Sequence, residues 1–157
     1  MAMQTDVKSQ HGSVSGLMVP YRTRLKGAVV FPFSGATEYT VLVDDNSITG
    51  TYARATTTAT ITSANHGLST GQWVYLDWDL ADNPYQVTVT GVNTFTVTVA
   101  NSGAASGNVT VWNDVLLQLD ASNQTGYSVP IPGEGVLAHN GIRLFLGANT
   151  HITAFYG

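Results

Sequence analysis

The sequence predicts an all-β protein, and three observations carry that expectation. From Tyr21 onward, apolar and polar residues alternate with a period of two, the mark of half-buried strands. β-branched and aromatic residues dominate these runs, and Gly, Asn, Asp and Pro punctuate them at short intervals. No segment joins a sustained 3.6-residue apolar stripe to good helix formers. Many short strands at close spacing read as a sandwich or barrel. The expected architecture is a β-sandwich or jelly-roll-like host domain carrying an inserted small β-barrel or β-roll.

Residues 1–19 are polar, with Gly12 and Gly16, and read as an N-terminal arm. "YRTRLKGAVVFPF" follows as a strand with Arg22, Arg24 and Lys26 on one face and Tyr21, Thr23 and Leu25 on the other. "TEYTVLVDD" reads as a strand closed by an Asp44-Asp45-Asn46-Ser47 turn, and "SITGTYARATTTATIT" as one or two more. "GQWVYLDWDL", "YQVTVTGV", "NTFTVTVA" and "GNVTVW" continue the pattern, then "DVLLQLDA" and "SVPIP". In "IPGEGVLAHNGI", Pro130 and Pro132 keep the chain extended, Gly133 and Gly135 permit positive φ, and Asn140-Gly141 is a favoured type I′ hairpin pair. "HITAFYG" ends the sequence as a strand that needs a partner, so its residues are expected inside a sheet.

Residues 53–111 are Thr-rich, and after Arg54 the next Lys or Arg is Arg143. "TATITSANHGL" and "GNVTV" bracket this stretch and are expected to pair as neighbours, as the ends of an insertion do. The insert is therefore placed at 53–111, within a host formed by 20–52 and 112–157.

Hydrophobic residues make up 43% of the 157-residue chain, enough for a core, while charged residues make up 10%. An average soluble domain carries roughly 25% charge. A weakly charged, hydroxyl-rich surface suits β-proteins that pack against copies of themselves or a larger body. The net charge of −4 argues against nucleic acid and anionic membranes as partners. The absence of cysteine excludes disulfides and thiolate chemistry. No secretory h-region and no apolar run of about 20 residues is found, which predicts a soluble or assembled protein.

"SANHGLSTGQWVYLDWD" gathers Ser69, His66 and Asp77, the residue types of a hydrolytic triad. A nucleophile needs a strained elbow and an oxyanion hole, and no G-x-S-x-G is present. The segment reads as a turn, with His66 bridging the loop, and no catalytic residue is assigned. Asp77, Asp79 and Asp82 lack the spacing, Gly and terminal Glu of an EF-hand Ca²⁺ loop; Asp77 and Asp79 read as the solvated face of a strand, with weak Ca²⁺ binding as the alternative. His11, His66, His139 and His151 show no metal-ligand spacing, and no metal or cofactor is expected. Trp73, Tyr75, Trp78, Tyr85 and Trp112 are either core or, for Trp73, Tyr75 and Trp78, a glycan platform. Arg22, Arg24 and Lys26 either dock an acidic surface or form the solvated side of an edge strand.

"TATITSANHGLSTGQWVYL…YQVTVTGVNTFTVTVANSGAASGNVTV" resembles a small β-module that recurs in virion proteins of tailed bacteriophages. The flanks "RTRLKGAVV", "VLLQLDA", "IPGEGVLAHNGI" and "HITAFYG" are similar to small phage head or decoration proteins. The resemblance implies a non-enzymatic, many-copy capsid decoration or cement protein on the virion surface. It further implies docking on the major capsid protein, with Arg22, Arg24 and Lys26 as candidate contacts, and homo-oligomers such as a homotrimer. The alternatives are a neck, tail or fibre-anchoring component and, from another class, a carbohydrate-binding adhesion module.

Overall fold

The structure is a computed structural model that describes residues 6–33, 38–81, 83–121 and 125–157. Among these residues all regular secondary structure is β, as the alternation predicts. The chain divides into two compact units, Met1–Asp45 with Leu116–Gly157, and Asn46–Val115.

The first unit contains two antiparallel sheets. One orders β1 (Lys8–Gly12), β16 (Thr150–Tyr156), β3 (Thr23–Pro32) and β13 (Tyr127–Pro130), with β14 (Val136–Ala138) also paired to β3. The other orders β12 (Val115–Ala121), β4 (Glu38–Asp44), β15 (Ile142–Leu146) and β2 (Gly16–Val19). Both sheets feed one core, with Leu25, Ala28, Val30, Ile152 and Ala154 from the first and Val19, Leu42, Leu119, Ile142 and Leu144 from the second. This is a sandwich, and each fully buried aliphatic side chain there stabilises it by about 1.5–3 kcal/mol. The buried parity along β3 shifts between Leu25 and Ala28, where the register against β16 slips at Phe155/Tyr156. That irregularity re-aims Arg24 and Lys26 relative to Val29 and Phe31.

Two expectations are corrected here. Residues 8–19 are not an arm: Lys8–Gly12 pairs along β16, and Gly16–Val19 pairs with β15. β1 is an edge strand with Lys8–His11 exposed, so its sequence carries no alternation to announce it. Nor does Asn140-Gly141 close a hairpin. β14 lies on β3 and β15 on β4, so the pair carries the chain from one sheet to the other. Gly141 alone of the two has positive φ, at 128°. The buried Asp44 carboxylate fixes this crossover, accepting the His139 N–H at 3.0 Å and the Asn140 N–H at 2.8 Å.

The second unit is one seven-stranded antiparallel sheet. Its strands are β5 (Ser47–Ala55), β6 (Thr58–Thr62), β7 (Trp73–Trp78), β8 (Asn83–Gln86), β9 (Thr88–Gly91), β10 (Thr94–Thr98) and β11 (Ser106–Trp112). They lie in the order β8-β7-β11-β5-β6-β10-β9. The outermost strands, β8 and β9, are separated in sequence only by the buried Val87, so the sheet must curl to bring its edges together. It wraps a core of Ile61, Val74, Leu76, Phe95, Val97 and Val111. The insert boundaries move outward from 53 and 111, because β5 pairs with β11 from Ser47↔Trp112 to Ala53↔Ser106. "TATIT" joins β5 and β10 and is not the neighbour of "GNVTV".

Candidate functional site

The HGL segment is a clamp and not a triad. Asn65 and Gly67 take positive φ of 48° and 67° on either side of His66, turning the chain so that the imidazole points inward. The Leu68 N–H donates to His66 Nδ1 at 3.0 Å, and Nε2–H donates to the Gly91 carbonyl, also at 3.0 Å. These partners select the Nε2–H tautomer and leave neither ring nitrogen to activate Ser69. The buried ring packs edge-on against Phe95 with centroids 5.2 Å apart, tying the loop to β9 and β10. The Ser69 N–H donates to Gln72 Oε1 at 3.1 Å, and the Ser69 carbonyl accepts the Gln72 N–H at 3.1 Å.

Asp77 and Asp79 are exposed, as a solvated face requires, and Asp82 lies outside the described residues. With Asn108, Thr49, Thr51 and Thr110 they line an open hollow of about 740 Å³ on the sheet face. No group of three His, Asp or Glu able to hold a metal occurs among the described residues. The structure does bring two distant histidines together. His11 on β1 and His151 on β16 lie with ring centroids 5.3 Å apart, and Phe33 packs against His151 at 5.0 Å. Strand pairing across 140 positions created this pair, so no local spacing foretold it.

The glycan platform does not form. Trp73 is 53% exposed, but Tyr75 is 2% and Trp78 8% exposed. Trp78 instead stacks edge-on with Tyr52 and Tyr85 and donates its Nε1–H to the Ala81 carbonyl at 3.1 Å. Strand alternation puts Val74, Leu76 and Trp78 in the second unit's core, leaving one exposed indole where sugar stacking wants a surface group.

The basic trio also divides. Lys26 donates from Nζ to the Glu134 carbonyl at 2.8 Å. Arg24 bonds the Gly135 carbonyl at 3.3 Å and faces the Glu134 carboxylate at 3.6 Å. Arg22 is exposed and has no side-chain partner among the described residues. Arg22 and Arg24 meet Lys8, Tyr21 and Tyr156 around a hollow of about 400 Å³, which Lys26 does not reach. Its frame is rigid: the Arg24 N–H donates to the Gly157 carbonyl at 3.2 Å, and the Gly157 N–H donates to the Arg24 carbonyl at 3.1 Å. Lys8 Nζ lies 5.8 Å from the centre of the Tyr21 ring, which packs edge-on against Tyr156. A hydrogen bond with Tyr21, reinforced by burial, raises the Tyr156 hydroxyl above the usual tyrosine range. Lys8 is the residue that sequence reading missed, since only the Lys8↔Tyr156 register carries it there.

The chain matches no protein-family model and no curated protein sequence.

Proposed function

We propose that the chain is a non-enzymatic virion structural protein of a tailed phage, a decoration or cement protein that docks on and bridges major capsid subunits as a homo-oligomer. The sequence resemblance raises this reading, and one structural observation supports it best. The outward face of the β1-β16-β3-β13 sheet carries exposed apolar side chains among polar ones. Phe31 and Phe33 are 53% and 54% exposed on it, and Val7, Val29, Pro130 and Phe155 line a groove of about 370 Å³. Exposed aromatics on a rigid sheet are what a protein held by contact area presents to its partner. Each Å² of apolar surface they bury is worth about 25 cal/mol, and many copies multiply that holding energy against internal pressure.

Cryo-electron microscopy of purified particles tests the proposal by locating and counting this chain. Hundreds of copies on the icosahedral shell, seated through the Phe31 face, are the expected result. A dozen or fewer at one vertex would reassign the chain to the neck, tail or fibre anchor. Complete absence from particles would overturn the virion reading.

A further inference from the structure

Three of the chain's six Lys and Arg residues line one hollow: Lys8 from β1, Arg22 ahead of β3, and Arg24 within it. In a chain of net charge −4, this is a concentrated positive site. Tyr21 and Tyr156 wall it, and among the described residues Asp6 is the one acidic side chain on its rim. Glu134 opposes Arg24 only at 3.6 Å from a side chain that is 85% exposed, so solvent screens most of that attraction. We propose that this hollow binds a carboxylate side chain of an acidic peptide segment. The proposal goes beyond the virion reading and does not depend on it.

Charge calls for an anion, and shape and the aromatic wall point to a carboxylate side chain. The Arg22 guanidinium, beside the Lys8 ammonium and with Arg24 adding positive charge, offers a forked, charge-assisted donor suited to a planar carboxylate. The three cations outnumber Asp6 by two charges, so the hollow attracts anions, and the phosphate arm of the titration below separates a carboxylate from a phosphate. A uronic acid sugar would need an open aromatic face for stacking. Lys8 covers the Tyr21 ring, and Tyr156 packs against its edge. A volume of about 400 Å³ accommodates one or two side chains and not a folded domain.

Isothermal titration of the full chain with a hexaglutamate peptide at low ionic strength tests this. Saturable binding at one site per chain is expected, weakened about tenfold by Lys8→Gln and by Arg22→Gln. Lys26→Gln, outside the hollow, should leave affinity unchanged. Lys8 and Arg22 are exposed, so unchanged thermal melts of these variants will tie the loss to the site. The proposal is overturned if hexaglutamate fails to bind, or if it binds both variants as tightly as the unaltered chain. It is equally overturned if inorganic phosphate or a hexagalacturonate oligomer binds as tightly as the peptide.

Discussion

His66 shows how a residue type that suggests chemistry can be spent on structure. Its two ring nitrogens satisfy a backbone donor at Leu68 and an acceptor at Gly91, and its ring fills space beside Phe95. His66→Ala should therefore destabilise the 46–115 unit by about 2–4 kcal/mol, from an orphaned buried N–H and a cavity together. Thermal unfolding followed by tryptophan fluorescence measures it, and an unchanged midpoint would contradict the clamp. Tyr52 is the opposite case. Its hydroxyl is buried with no hydrogen-bond partner among the described residues, so Tyr52→Phe should be neutral or stabilising by up to about 1 kcal/mol. Burial first, and then the nearby Asp79 carboxylate, hold this phenol above the usual tyrosine range. A raised folded value means the folded state keeps its proton longer. That stabilisation is complete below about pH 10 and is lost as pH rises through the folded value. Urea melts at about pH 9 and about pH 11 should thus show a fall in stability that is shallower in Tyr52→Phe.

At the scale of elements, burial separates strands that look alike as backbone. β16 lies between β1 and β3, and its Ile152 side chain is fully buried in the sandwich core. Ile152→Ala should cost about 2–5 kcal/mol. Gln10→Ala, one strand over on the exposed β1 edge, should change stability by less than about 0.5 kcal/mol. Equal effects in denaturant melts would mean that the edge assignment of β1 is mistaken. The same contrast explains what was legible. β6 and β10 alternate visibly because one face is buried and the other is more exposed, as "TATIT" and "TFTVT" show. "KSQHG" is exposed at nearly every position, so no hydrophobic pattern marked it as a strand.

At the scale of the whole molecule, each unit owns a core, and the ends of the 46–115 unit meet where Ser47 opposes Trp112. Residues 46–115 expressed alone should give a cooperative thermal transition with dispersed amide resonances, since no strand of the seven-stranded sheet comes from outside them. A non-cooperative melt would show that the rest of the chain completes this fold. An insertion whose ends pair side by side adds little loop-closure cost, which is why a β-sandwich tolerates one.

By itself the sequence determined the class of the fold, the core strands and the structural nature of the HGL turn. Each of these follows from local chemistry: side-chain alternation, β-branching, and glycine where positive φ is needed. Only the tertiary structure decided which strands pair and which aromatics are covered. Those pairings also brought Lys8 beside Arg22 and Arg24, and His11 beside His151. The physical reason is range. Alternation reports whether a residue faces in or out, but antiparallel pairing joins positions more than a hundred residues apart, and their spacing along the chain carries no trace of the contact.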